Sequence, residues 1–266
     1  MPSLIYRRQE PEPQVVGLAL GWAGLDSKSM QPSRAKATVK NRLLQALSAD
    51  EYRRLAPKLQ LVHLPTGKVL YNAGDHADHV YFPLSGVVSL LSTTEAGEIV
   101  EVGMVGNEGT TCIPVISHAQ EMPYRLLIQI PADALRCEAG AIRDEFVKGG
   151  QLHGLLICYM HSLFAQIAQS AVCNRFHLAE ARFCRWLLCM HDRVESDTLP
   201  LTHEIISNML GAERAHISRT AQALQKSGLI SYKRGSITIL NRQALEAASC
   251  ECYQVVKQQI THCLAA

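Results

Sequence analysis

The sequence predicts an α+β protein that combines an antiparallel β jelly-roll barrel, a long dimerisation helix and a C-terminal winged helix-turn-helix domain. Three patterns predict this fold: short β-rich runs separated by turn signals over residues 60–130, a helical apolar period that begins near Ala141, and a helix–glycine–helix pattern followed by a hairpin over 201–240. The expected boundaries are a disordered tail at 1–40, the barrel at 41–140, the dimerisation helix at 141–175 and the winged helix-turn-helix domain at 176–266.

Composition limits the class of protein. Apolar residues make up 47% of the 266 residues and charged residues 19%, which excludes a disordered polyelectrolyte. The formal charge of +2 provides no strong global field, so a nucleic-acid site needs a local concentration of charge. The nine cysteines are an odd, scattered set that fits free thiols in a reducing cytosol. We therefore expect a cytoplasmic protein without a signal peptide or a membrane span.

The sequence pattern of the first 140 residues predicts a tail followed by a barrel. Proline and glycine punctuate 1–40, and leucines at helical spacings predict a short helix or helix pair over Asn41–Leu59. Short strands at nearly regular spacing then favour an antiparallel barrel, with the clearest hairpin around Thr94–Gly97. The expected strands are Lys68–Tyr71, His79–Phe82, Val87–Ser92, Ile99–Val105 and Arg125–Ile130.

A long helix is expected from Ala141 to Cys173, with a weak point at Gly149-Gly150. Its apolar residues on more than one side require two packing partners. Either the helix is a core element of the monomer, or one face packs on the barrel and the other on a twin helix in a homodimer. The predicted seam of the dimer helix consists of Leu156, Met160, Leu163 and Ile167. A second helix is predicted at about His177–Arg193.

The stretch 201–240 carries the helix-turn-helix pattern. Thr202 is a good N-cap for a helix over His203–Leu210, and Gly211 lies where a left-handed turn is needed. A second helix is expected over Ala212–Ser227, followed by a hairpin with a basic glycine tip at 233–236.

Charge in this module indicates DNA binding. Residues 201–242 contain six basic and two acidic side chains, a net charge of +4 on a nearly neutral body. If Ile217, Ala221 and Leu224 face inward, the outward face carries Arg214, His216, Ser218 and Arg219. Arginines in the first half of such a helix can bond guanine edges in the major groove. The alternative is a winged helix used for protein contacts.

Several motifs extend beyond a generic winged helix. They are Leu201-Thr-His-Glu, Gly211-Ala-Glu-Arg-Ala-His-Ile-Ser-Arg219, the exit Leu224…Ser-Gly-Leu-Ile230 and, in the barrel, Pro65-Thr-Gly-Lys, Gly74-Asp and Leu84-Ser-Gly86. On these motifs the chain, over about residues 41–240, resembles the Crp/Fnr family of bacterial transcription regulators. The resemblance implies a cyclic-nucleotide-binding-type barrel, a long dimerisation helix, and a homodimer that binds a two-fold symmetric operator in double-stranded DNA.

The resemblance also implies roles for single residues. Arg214 and Arg219 match positions that contact base edges, whereas Ala215 stands where many members have a glutamate that contacts cytosine, which puts the usual half-site in doubt. The remaining DNA-binding candidates are His216 and Ser218 for phosphates, Lys233 and Arg234 on the wing, and Thr202.

A phosphate-binding cassette of the family matches the end of the expected strand Ile99–Val105 and the residues that follow it. Its candidate effector-pocket residues are Gly103, Gly106, Asn107, Glu108, Gly109, Thr110 and Thr111. In family members that bind cyclic AMP an Arg-Ser/Thr-Ala element follows, but here the region is Pro114-Val-Ile-Ser117, without an arginine. Because a buried phosphate needs a charged partner, we expect no cyclic AMP binding of the usual kind, and the effector is unknown.

Metal and redox chemistry have weaker signals. Residues 1–111 contain no cysteine, unlike the N-terminal iron–sulfur ligands of the oxygen-sensing branch. Cys250-Glu-Cys252 and the Cys184/Cys189 pair lack convincing zinc or cluster spacing, so no metal site or cofactor is predicted. Thiol sensing by Cys112, Cys137 or Cys158 stays open.

The sequence therefore predicts a homodimeric, sequence-specific DNA-binding transcription regulator, with RNA polymerase as a further candidate partner. No catalytic motif is present, so an enzyme is not expected. Three alternatives remain: a constitutive DNA-binding dimer without a ligand, a thiol- or metal-dependent redox-sensing regulator, and a small-ligand module whose winged helix docks on proteins.

Overall fold

The computed structural model describes residues 39–111, 113–116 and 121–265. They belong to a unit that spans Pro32–Ala266. The predicted tail at 1–40, apart from its last two residues, lies outside the described residues, as do Cys112 and Ser117.

Two short helices precede the barrel, which confirms the predicted pair. Helix α1 (Arg42–Ala46) is capped by Asn41, whose side chain accepts a hydrogen bond from the Leu44 amide at 3.0 Å. Helix α2 (Ala49–Leu55) is capped by Ser48, which accepts from the Glu51 amide.

Seven antiparallel strands form the barrel in two sheets, ordered β1-β7-β3 and β2-β6-β4-β5. Hairpin β4–β5 is the one predicted, with Thr93 opposite Ile99 and a turn closed by the Thr94 amide on the Glu98 carbonyl at 2.9 Å. The first and last strands were not predicted. The strands are β1 (Gln60–Leu64), β2 (Val69–Tyr71), β3 (His79–Pro83), β4 (Val87–Thr93), β5 (Ile99–Val105), β6 (Arg125–Ile130) and β7 (Ala132–Glu138).

The single long helix expected from Ala141 is wrong, because the chain forms two helices there. Helix α3 (Ala139–Val147) ends before Gly149, which adopts a φ of +69° that interrupts a right-handed helix. Helix α4 (Gln151–Phe176) then continues as one element. Judged by length and composition alone α4 would qualify as a membrane span, but buried core helices pass the same test.

The predicted seam on α4 is only partly exposed. Leu156 and Leu163 are buried in the core that the barrel shares with α4, and Ile167 is half-buried against it. Only Met160 of the four is exposed. The prediction for Leu156 and Leu163 is therefore corrected, since the barrel and the C-terminal helix occupy the side of α4 on which they lie.

A different apolar row of α4 faces outward. Phe164 is 70% exposed, and its neighbours at helical spacings are exposed as well. We call this row the exposed stripe; it consists of Ile157, Met160, Phe164, Ala168 and Val172. The stripe shares Met160 with the predicted seam, whereas Ile157, Phe164 and Ala168 each lie one residue after a predicted position, or roughly 100° further around the helix axis.

The C-terminal module has the predicted winged helix-turn-helix architecture. Its small three-stranded sheet, ordered β8-β10-β9, packs beside the helices over a second core that contains Trp186, Ile206 and Ile217. Barrel residues, among them Leu91 and Met104, belong to this core as well. The elements are α5 (Ala179–His191), β8 (Thr198–Leu199), α6 (His203–Leu210), α7 (Arg214–Lys226), β9 (Ile230–Lys233), β10 (Ser236–Ile239) and α8 (Arg242–Ala248).

A last helix, α9 (Cys252–Ala265), returns from the module to α4. The Ser162 hydroxyl on α4 donates to the Gln259 carbonyl at 3.1 Å, and Cys263 is buried in the barrel-side core. The sequence assigned this segment to the C-terminal domain, but its packing attaches it to the other half of the chain. The winged helix-turn-helix module thus lies between two segments that pack on each other.

Candidate nucleic-acid interface

The turn between α6 and α7 is fixed by local chemistry. The Thr202 hydroxyl accepts from the Ile205 amide at 3.2 Å and so caps α6. Gly211 ends that helix with a φ of +56°, the left-handed conformation that favours glycine. Buried Ile206 and Ile217 belong to the core that holds the two helices together.

Helix α7 presents a polar face to solvent. Arg214, His216 and Arg219 are exposed, as the sequence predicted. The opposite face is buried and consists of Ile217, Thr220, Ala221 and Leu224. A helix held by one apolar face leaves its first two turns available for the major groove.

His203 connects both helices to the wing, a role that the sequence did not reveal. Its ring stacks on Tyr232 with 4.1 Å between centroids, and its Nδ1 lies 3.0 Å from the Ser218 hydroxyl. Ser218, which the sequence placed on the outward face with the two arginines, is instead half-buried, and its hydroxyl donates to the Arg214 carbonyl. Burial and the charge of Arg214 lower the pKa of His203, which favours the neutral ring.

The wing ends in a two-residue turn. Lys233 pairs with Ser236, and Arg234 and Gly235 between them have φ values of +49° and +79°. Two successive positive φ angles are typical of the type I′ turn, whose twist suits a hairpin. The Tyr232 amide donates to Gln225 Oε1 at 2.7 Å, which ties the wing to α7.

Five basic side chains of residues 201–242 have no carboxylate within ion-pair distance among the described residues: Arg214, Arg219, Lys226, Lys233 and Arg234. Arg242, the sixth base of the segment, differs because it bonds Asp192 and Glu246. Cations without acidic partners are available to neutralise phosphates. The charge therefore concentrates on α7 and the wing.

In the phosphate-binding cassette of the barrel, the space beside two glycines is occupied by side chains of this chain. Arg193, just after α5, lies 2.7 Å from the Glu108 carboxylate, and a Cβ at Gly106 would stand 2.5 Å from the Arg193 side chain. A Cβ at Gly109 would stand 2.1 Å from the Tyr159 ring of α4. The glycines thus accommodate side chains of this chain at the position predicted for an effector.

The other cassette residues also have partners in the chain. The Thr110 hydroxyl donates to the Tyr81 carbonyl at 3.0 Å, and the Thr111 hydroxyl accepts from the Tyr81 amide at 3.1 Å. The Asn107 carbonyl accepts from the Arg42 amide. Gly103 packs beside Gln166 of α4, whose Oε1 accepts from the neighbouring Met104 amide.

Sequence comparisons identify a known domain in each half of the chain. Residues 61–141 match the cyclic nucleotide-binding domain, and residues 181–248 match the Crp-like helix-turn-helix domain. The global nitrogen regulator of Synechocystis sp. is 24% identical over 219 residues, which cover 76% of this chain and 97% of that protein.

Solved structures have the same fold. FixK2 from Bradyrhizobium japonicum superposes with a TM-score of 0.59 at 15% identity, over 72% of this chain and 98% of that one. A CRP-family transcriptional regulator from Thermus thermophilus gives 0.59 at 16% identity, over 71% and 96%. The order of the barrel, long helix and winged helix, together with both domain matches, leads to one assignment: this chain belongs to the Crp/Fnr family and is a DNA-binding transcription regulator.

Proposed function

We propose that this regulator is a cytoplasmic homodimer that binds a two-fold symmetric operator through α7 and the wing. One observation carries the proposal: Arg214 and Arg219 are exposed on α7 without acidic partners among the described residues, beside the basic wing tip. A partner rich in phosphate supplies the missing negative charge. RNA polymerase is a further proposed partner, and no catalytic role is proposed.

The proposed contacts divide into two kinds. Arg214 and Arg219 bond base edges in the major groove, where a guanidinium bonds guanine through two hydrogen bonds. His216, Lys233 and Arg234 contact phosphates and set the orientation on the duplex. Thr202 and Ser218 lie at the edge of the same surface and complete the proposed set, although Ser218 also holds His203.

The exposed stripe supports the homodimer. A helix that presents Met160 and Phe164 to water gains free energy by covering them with the same row of a twin helix. Pairing along α4 would place the two copies of α7 in the two-fold arrangement that half-sites one helical turn apart require.

The filled cassette supports a barrel that does not bind cyclic AMP in the usual way. Tyr159 and Arg193 occupy the space beside Gly109 and Gly106, and the Glu108 carboxylate is already paired with Arg193. A nucleotide would have to displace these groups and break a buried ion pair. The ligand-free constitutive dimer is therefore the favoured form of the proposal.

Selection of bound DNA from a random pool tests the proposal. We expect a palindromic consensus whose half-sites lie one helical turn apart, with affinity that falls steeply as salt rises. Calorimetry with cyclic AMP and other cyclic nucleotides should show no heat of binding. A protein that enriches no sequence and does not shift any duplex at low salt would contradict the proposal, and the winged helix would then serve protein docking.

A further inference from the structure

Four side chains that ligate metals meet where the winged helix-turn-helix module joins the rest of the chain. Cys173 and His177 lie one turn apart at the end of α4, Cys250 lies between α8 and α9, and Cys252 is the first residue of α9. One ligand atom from each residue lies within 4.8 Å of the other three. The Cys173 and Cys250 sulfurs are 3.6 Å apart, and the Cys252 sulfur is 3.4 Å from His177 Nδ1.

These distances fit a single tetrahedral ion. Two sulfurs each about 2.3 Å from a shared zinc ion lie about 3.8 Å apart, close to the observed separation of Cys173 and Cys250. A disulfide, in contrast, requires a sulfur–sulfur bond of about 2.05 Å and would leave Cys252 and His177 without a role. The four groups together therefore fit metal ligation better than a bond between two of them.

The surroundings resemble the outer shell of a metal site. His177 Nε2 lies 3.1 Å from the Glu251 carboxylate, an arrangement that fixes the ring so that Nδ1 faces the sulfurs. Gln169 of α4 donates from Nε2 to the Cys252 sulfur at 3.0 Å. Histidine ligands of zinc commonly have such a carboxylate partner.

Burial also distinguishes this cluster from a chance grouping. The sulfurs of Cys173, Cys250 and Cys252 form a small core of their own, separate from the two larger apolar cores, with Ala181 packed against it. The three cysteines are buried and His177 is half-buried. Water is therefore largely excluded from the space between the four groups, as in a closed structural site.

We propose that Cys173, His177, Cys250 and Cys252 bind one structural Zn²⁺ ion. Three thiolates and one imidazole are a common ligand set for structural zinc, and four protein ligands leave no open position for catalysis. The ion would join the end of α4 to the start of α9, residues that are 77 positions apart in sequence. This site is independent of which DNA sequence or effector the regulator binds.

Metal content of the full-length protein tests the proposal directly. We would purify the chain without chelator from zinc-supplemented cells and measure bound metals by plasma emission spectrometry. We expect about one zinc per chain, and less than about a tenth of that in Cys252→Ser. Cys158→Ser is the matched control, since Cys158 lies on α4 outside the cluster and its variant should keep the full zinc content.

A second measurement covers the case in which Cys252→Ser fails to fold. Wild-type protein, stripped with chelator under reducing conditions, would be titrated with Co²⁺ alone. We expect the thiolate-to-cobalt charge-transfer and tetrahedral ligand-field bands, and their loss when Zn²⁺ is added. The proposal would be overturned if the cobalt bands were absent, or if the wild type contained zinc only at background level or iron in place of zinc. It would also be overturned if a folded Cys252→Ser kept its full zinc content, or if Cys173 and Cys250 formed a disulfide.

Discussion

The Arg193 guanidinium contacts the Glu108 carboxylate at 2.7 Å, and both side chains are at least 95% buried. Arg193 follows α5 of the DNA-binding module, whereas Glu108 belongs to the barrel cassette. Arg193 also donates to the Cys189 carbonyl at 2.7 Å, and the Gly106 amide donates to Glu108. The pair is therefore a buried electrostatic contact between the two halves of the regulator.

We expect Arg193→Ala to lower the free energy of unfolding by about 3–5 kcal/mol, because it leaves the Glu108 carboxylate buried without its partner. The double variant Glu108→Gln with Arg193→Met should recover most of this loss, since neither side chain then carries a charge. Urea unfolding followed by circular dichroism measures both. Arg53→Ala, which breaks an exposed pair with Asp50, is the control and should cost less than about 1 kcal/mol. Equal effects of Arg193→Ala and Arg53→Ala would contradict the assigned role.

Glu101 predicts a specific pH dependence. Burial raises the pKa of Glu101 to about 7, although hydrogen bonds from Ser89 and Trp186 act in the opposite direction and lower it. The folded state therefore holds a proton that the unfolded chain releases near pH 4.5. This contribution to stability is complete below about pH 4.5 and is lost as the pH rises through 7, by about 3 kcal/mol at most.

The variant Glu101→Gln should not show that loss, because glutamine can accept from Trp186 and donate to Ser89 without ionising. The difference in unfolding free energy between wild type and Glu101→Gln, measured at pH 5 and pH 8, should shift in favour of the variant at pH 8. Glu95→Gln changes an exposed carboxylate in the β4–β5 turn and should show no such shift. A difference that does not change with pH would exclude Glu101 as the titrating group.

Charge on the exposed stripe should separate the subunits. We expect Phe164→Glu to raise the dissociation constant of the homodimer by about 30-fold or more, because a buried aromatic anchor commonly contributes about 2 kcal/mol or more. Sedimentation equilibrium measures this change. Val147→Glu alters an equally exposed apolar residue on α3, away from the stripe, and should leave association unchanged. Dimers of the same strength in both variants would place the interface elsewhere.

One arginine variant and one lysine variant distinguish recognition of the base sequence from contact with the phosphates. Arg219→Ala should cost about 1–3 kcal/mol on the selected operator and relax preference at one base pair per half-site. Lys233→Ala should weaken specific and random duplexes alike and reduce the salt slope by about one. Fluorescence anisotropy at several salt concentrations distinguishes the two. Sequence preference that survives Arg219→Ala would remove this residue from base recognition.

Local signals made the DNA-binding module predictable. The Thr202 cap, the left-handed Gly211 and the buried row through Ile217 and Leu224 act within one or two helical turns, so sequence spacing alone specifies them. The hairpin β4–β5 was predictable for the same reason, since its turn lies at a glycine with positive φ.

Features that depend on distant partners were not predictable. Strand β7 consists largely of residues with low β propensity, and it forms because β1 and β3 pair with it on both sides. The seam on α4 was misplaced because helical spacing does not say which apolar face the barrel takes. Sequence spacing singles out Cys250-Glu-Cys252 but not Cys173 and His177 beside it, because Cys173 and Cys250 are 77 residues apart and meet only when α9 returns to α4.

The place where α4 ends adjoins the place where α9 begins, as the 3.6 Å between the Cys173 and Cys250 sulfurs shows. A segment whose two ends adjoin can be excised and replaced without stretching the scaffold that remains. Residues 178–249 therefore form a natural insert, and a winged helix from another regulator could be grafted between these two points if it keeps the contacts that this module makes with the barrel, among them Arg193 with Glu108 and Trp186 with Glu101.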